Sequence, residues 1–381
     1  MKISLPLTVG ALFAAVLLQP GAAKAADDGP QYGGAFTPLP TNEYLVTNLT
    51  TNLSTGAPNT DPNLVNPWGI SRSSGSPWWV SDNGAGLATL YTGTGSAVSL
   101  VVTIPPAQAG NMGSPTGTIF NGTTEFAVAP GKPAAFLFVT EDGTVSGWNP
   151  GVMPTTAVIA VNESGKGASF KGLTSAVVNL HNYPDQTLLY VADFTRGKVE
   201  VFDAAFHQVH DVEDRINDSS DVPEGYGPFN VQNLGGNIYV SYAKRGSGID
   251  EQDGAGLGRV RVFTPEGHLL MRLEHGSFLN APWGMAIAPS DFGPYSHDIL
   301  VGNFGSGWIA AFDPITGRFM DFLRDMNGNV ITIPGLWGIS PGNDGKAGNA
   351  TSLYFTAGGA DEASGTFGTI TALENQQGNA Q

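Results

Sequence analysis

A five-residue phrase stands three times in this chain, and no other feature restricts its fold as strongly. Asn66-Pro67-Trp68-Gly69-Ile70 returns as Ala281-Pro282-Trp283-Gly284-Met285 and as Gly335-Leu336-Trp337-Gly338-Ile339. Weaker forms stand at Ser114-Pro115-Thr116-Gly117, Phe170-Lys171-Gly172-Leu173 and Gly227-Pro228-Phe229-Asn230. Trp283 and Trp337 are 54 positions apart, and the six signals from Trp68 to Trp337 keep about that spacing. A fixed period of this length marks a repeat architecture whose units bury their apolar faces against one another.

Each phrase is followed by further strand signals. The second is apolar and ends in a polar turn: Trp78 to Asp82, Phe136 to Thr140, Leu188 to Asp193, Ile238 to Tyr242, Asp298 to Asn303 and Ser352 to Thr356. A third alternates toward an aromatic, as in Gly197 to Asp203, Gly258 to Phe263 and Trp308 to Asp313, and a fourth is suggested by Val98 to Ile104 and Leu269 to Leu273. Period-2 alternation fits strands packed between neighbouring sheets. Glycine at 52 and proline at 26 supply the turns, and helix is disfavoured. The fold class is therefore all-β, a six-bladed β-propeller. Glu43 to Asn52 has no blade of its own, and its β-favouring residues predict a strand that pairs with the last blade and closes the ring.

The ends read differently. Met1-Lys2, the apolar stretch Ile3 to Leu18 and the small-x-small Ala23-Lys24-Ala25 predict a signal peptide over 1–25. The apolar run is shorter than the roughly 20 residues that span a bilayer, so no integral membrane segment is expected after cleavage. Residues 26–42 and 374–381 read as flexible tails around a single domain over 43–373. A secreted or periplasmic location follows. Cysteine is absent, which removes disulfides and thiolate chemistry. The net charge of −16 repels phosphate backbones and argues against nucleic acid.

The runs YVADFTRGKVEVFD, GPFNVQNLGGNIYVSYAK and ILVGNFGSGWIAAFDPITG, with the three Trp-Gly phrases, resemble an uncharacterised family of exported bacterial proteins, similar in fold to NHL-repeat and lactonase-like propellers. The resemblance covers about Tyr44 to Leu373 and implies the fold without an activity. Members of that family often end in a hydrophobic sorting segment; this chain stops at Glu374 to Gln381, which implies a free, soluble product.

Propeller ligands sit where inner strands meet around the axis. The residues opening the blades are Asn66, Trp68, Thr116, Asn230, Asn280, Trp283 and Trp337. Amides and indoles there suit a sugar-like or other neutral polar molecule. The competing reading is structural, with each Trp wedged between blades and each Asn capping a turn, and it is favoured for any single residue. A second set follows the second strands: Asp82-Asn83, Glu141-Asp142, Asp193 and Asn303. Oxygens converging from Glu141, Asp193, Asn230 and Asn303 would suit calcium, the kind of ion the resemblance to lactonase-like propellers implies. Asp or Asn before Gly also makes a turn, and repetition from blade to blade favours that role. The acidic insertion 246–258, with Asp250, Glu251 and Asp253, lacks EF-hand spacing and reads as a mobile, solvated loop. The six histidines form no zinc motif, and there is neither a Gly-x-Ser-x-Gly elbow nor a P-loop.

The sequence thus leads to a non-enzymatic module that binds a small polar molecule or a protein partner and is a monomer. The alternative is a calcium-dependent hydrolase or lactonase-like enzyme working at the central channel. A structural envelope component is a third reading.

Overall fold

The computed structural model describes residues 42–178, 185–218 and 221–373. The predicted signal peptide, most of the predicted N-terminal tail, the C-terminal tail and His181 lie outside the described residues.

Six antiparallel sheets form the ring. The first blade is built from strands 67–71, 78–82, 87–91 and 102–103, and the second from 115–120, 136–140, 144–148 and 158–162. The third has strands 170–178, 186–193 and 198–202, and the fourth has 226–234, 237–245, 258–263 and 269–272. The fifth comprises 282–287, 299–303, 309–312 and 319–322. The sixth runs 336–341, 353–357 and 366–372, and its outer strand is Tyr44–Thr51 from the start of the described chain. Tyr44 pairs with Ala372 and Thr51 with Thr366, so the predicted ring closure is present. Asn42 ties this strand to the fifth blade: its Nδ2 donates to Tyr295 Oη at 3.0 Å and to the Phe322 carbonyl at 2.6 Å. Tyr44 Oη donates to the Phe292 carbonyl at 2.9 Å.

The third blade departs from the four-strand pattern. A helix, His210–Asp218, takes the outermost place, with Val212 and Ile216 one turn apart and both buried. Four-residue spacing puts them on one face, and Asp211 and Glu213 sit in the first turn, where the helix dipole favours negative charge.

The apolar core lies between blades. Buried clusters fill each gap between neighbouring blades, and a further cluster occupies the ring axis. The recurring Trp-Gly phrase is explained at that axis. A Cβ on Gly69 would stand 2.6 Å from the Thr116 carbonyl of the next blade, and one on Gly117 would stand 2.8 Å from the Leu173 side chain. On Gly172 it would overlap the Asn230 side chain, on Gly284 the Trp337 carbonyl, and on Gly338 it would lie 2.8 Å from the Trp68 carbonyl. Those contacts run from blade to blade around the ring, and Asn230 fills the remaining position by donating from Nδ2 to the Trp283 carbonyl at 2.8 Å. Inner strands approach too closely there for most side chains. The residue two places before each Trp has positive φ: 44° at Asn66, 46° at Ala281 and 65° at Gly335. Asn and Gly take that left-handed turn readily; Ala281 takes it under strain.

Candidate functional site

The side chains just before the close-approach positions meet on the axis. Trp68 and Trp337 stack with centroids 3.5 Å apart, and Trp283 packs edge-on to both at 5.9 and 5.7 Å. Phe229 supplies the fourth blade's member, and Phe194 and Phe304 pack against the group. Thr116 occupies the second blade's place and donates to the Phe170 carbonyl at 2.8 Å. Lys171 occupies the third blade's place, only 1% exposed, with Nζ 5.1 Å above the Trp68 ring. These residues plug the channel. The three tryptophans predicted as a ligand pocket are brought together, chiefly as packing.

On one side of the plug lie the openings of the inner strands and the turns after the second strands, because strand pairing puts Pro67 opposite Asp82 and Pro282 opposite Asn303. Lys171 Nζ meets Glu141 at 2.5 Å, and Asn83 Nδ2 donates to the other Glu141 oxygen at 2.9 Å. Trp337 Nε1 donates to Asn66 Oδ1 at 2.9 Å, and Asn66 Nδ2 donates to Glu362 at 2.9 Å. The acidic insertion does not read here as a free loop: Glu251–Gln252 pairs with Lys244–Arg245, and Asn280 Oδ1 accepts from the Gly254 amide at 2.6 Å. Burial, reinforced by the Glu362 and Glu141 charges and opposed by Lys171, pushes the Glu251 carboxyl up to about 7.

The four residues considered as calcium ligands are held by separate partners. Glu141 is taken by Lys171 and Asn83. Asp193 accepts from the Ser169 and Arg196 amides at 3.2 Å, which is turn chemistry. Asn303 accepts from the Asn280 amide at 2.8 Å and donates to the Trp308 carbonyl at 3.2 Å. Asn230 belongs to the close-approach ring. Among the described residues no group of three or more His, Asp or Glu is placed to hold a metal ion.

On the other side of the plug the channel opens into a funnel of about 380 Å³ walled by all six blades. Of the predicted ligand residues, Asn230 and Trp283 line it, while Asn66 and Asn280 lie at the opposite mouth and Trp68 and Trp337 lie inside the plug. Arg72, Thr118, Gln232 and Ser340 also line it and went unnoticed in the sequence. They lie downstream of the repeated phrase, where it has no fixed residue to mark them.

No family model matches the chain. It is 33% identical over 335 residues to uncharacterized protein R648 of Acanthamoeba polyphaga mimivirus, covering 86% of this chain and 79% of that protein. Uncharacterized protein L690 of the same virus is 31% identical over 335 residues, covering 86% and 85%. The chain belongs to the family of these two mimivirus proteins. Both of these relatives are viral proteins, so the expected bacterial origin gains no support. The ring is similar to the soluble aldose sugar dehydrogenase of Escherichia coli, with TM-score 0.51 and 12% identity over 87% of this chain and 100% of that one. A glucose dehydrogenase gives TM-score 0.51 and 11% identity over 86% and 99%. At such identity the likeness shows the propeller fold alone. Among the described residues no helix is long and apolar enough to cross a membrane.

Proposed function

We propose that this chain is a binding module that takes a small polar molecule into the axial funnel. One observation carries the reading: the aromatic plug closes the axis from one side and leaves a roughly 380 Å³ chamber, with convergent polar groups, on the other. A chamber at the low end of the usual size for ligand sites, floored by an aromatic and walled by aliphatic side chains with amides and hydroxyls among them, holds a molecule of monosaccharide size. Asn230 gives this chamber its shape, since its amide is spent on Trp283 and on its own strand through the Val231 amide.

The test is calorimetric titration of the purified protein with monosaccharides beside the Ser340→Trp variant, which fills the funnel from a wall position. Saturable binding by the native chain and its loss in the variant is the expected result. Undiminished binding by Ser340→Trp would place the ligand elsewhere.

Export is part of the same reading, on the strength of Met1-Lys2, the apolar Ile3 to Leu18 and Ala23-Lys24-Ala25. The intact mass of the protein recovered from the periplasm or medium of an expressing bacterium should then correspond to a start at Ala26. A mass retaining Met1 overturns it.

A further inference from the structure

We infer that the funnel selects a small hydroxylated anion, with a carboxylate or phosphate seated on Arg72. The inference rests on the funnel being the ligand site and names what that site takes.

Among the described residues Arg72 is the only charged side chain in the funnel wall, in a chain of net charge −16. Its Nε donates to the Pro341 carbonyl at 2.7 Å, and its guanidinium carbon lies 5.5 Å from the Trp78 ring centroid. Those two contacts fix the plane of the group. Among the described residues its terminal nitrogens donate no hydrogen bond and no carboxylate stands within ion-pair distance. Asp344 acts on it through space, and Asp344 Oδ1 accepts from the Ala350 amide at 2.8 Å. A half-buried guanidinium with its Nε spent and its outer edge unspent matches the paired oxygens of a carboxylate or phosphate.

The opposite wall agrees. Gln232 belongs to the inner strand of the fourth blade, three blades from Arg72. Its Oε1 accepts from the Met285 amide at 2.6 Å, which leaves Nε2 as a donor with no described acceptor. Thr118, on the second blade beside that of Arg72, adds a buried hydroxyl that bonds no described residue. The unspent groups are thus mainly donors, and a ligand that answers them is rich in acceptors, charged at the Arg72 end and hydroxylated toward Gln232. An acidic chain otherwise repels such a molecule, so the lone cation decides where it goes.

Calorimetric titration with D-glucuronate, glucose 6-phosphate and glucose tests this on the native protein, Arg72→Gln and Arg72→Lys, with the melting temperature confirming that each variant folds. One or both anions should bind at least about tenfold tighter than glucose, as for a hydrogen-bonded charge. Arg72→Gln should erase that preference, Arg72→Lys should keep part of it, and added salt should weaken the anions alone. Glucuronate without the phosphate, or the reverse, identifies which anion is seated. Equal affinity for all three, a preference that survives Arg72→Gln, or binding of neither anion overturns the inference. Glucose binding that persists natively and disappears in Ser340→Trp would leave the funnel a ligand site while removing Arg72 from its selectivity.

Discussion

Among single residues, the glycines of the repeated phrase carry the tightest demand. Gly284 must be glycine because the Trp337 carbonyl of the next blade occupies the space a Cβ would need, and both partners are backbone. Gly284→Ala should therefore cost about 1–3 kcal/mol, the usual penalty for forcing atoms into a packed interior. Gly75→Ala, where nothing lies within 4 Å, should leave the denaturation midpoint nearly unchanged. Comparable losses at both positions would contradict the close-approach account. The repetition of Trp-Gly was visible in the sequence, but its cause was not, because the atom that forbids a side chain belongs to a strand about 54 residues away. Lys171 was overlooked for a similar reason. It stands in the same register as Trp68 and Trp337, yet a lysine beside glycine reads as surface until the Trp68 ring is found beneath it.

At the level of strands, the repeat located the inner and second strands of all six blades, and the third strands of the third, fourth and fifth. The second strands Trp78–Asp82 and Phe136–Thr140 begin and end where the sequence put them, since apolar runs bounded by polar turns leave little freedom. The helix of the third blade was missed because its two buried apolar residues, Val212 and Ile216, fill the space of a strand without the length that makes a helical period visible. Within the first blade, a side-chain chain joins the second and third strands to Asp61. Asp82 Oδ2 lies 2.7 Å from Thr89 Oγ1, which lies 3.0 Å from Tyr91 Oη, and Tyr91 Oη donates to Asp61 at 2.9 Å. Thr89 Oγ1 holds one proton, which it donates either to Asp82 or to Tyr91, and a protonated Asp82 that donates to Thr89 satisfies both contacts at once. Burial, reinforced by the Asp61 charge and opposed by the Thr89 hydrogen bonds, pushes the Asp82 carboxyl well up. A raised folded-state pKa gives stability that is fully present below the unfolded value of about 3.9 and is lost as pH rises through the folded value. Asp82→Asn, neutral at every pH, should match the native protein near pH 4. At pH 8 it should be more stable by about 1–3 kcal/mol, as expected for removing an uncompensated buried group. A gap that widens on acidification would show that Asp82 is charged in the fold.

For the whole molecule, ring and plug set what the protein can do. Six blades pack face to face, the axis is filled by side chains from their equivalent positions, and a chamber is left on one side of that plug. The architecture was legible because a repeat announces itself; the chamber was not, since its wall combines positions downstream of the phrase in all six units. All of this depends on the first strand, Tyr44–Thr51, closing the sixth blade. The chain has no cysteine, so a Thr47→Cys/Thr369→Cys pair, cross-strand neighbours in the register, reports that closure without background. Under mild oxidation the monomer should form this intramolecular disulfide quantitatively, seen as a shifted band on non-reducing gels, and its melting temperature should rise. Free thiols or intermolecular dimers in place of that bond would mean that the ring is not closed as described.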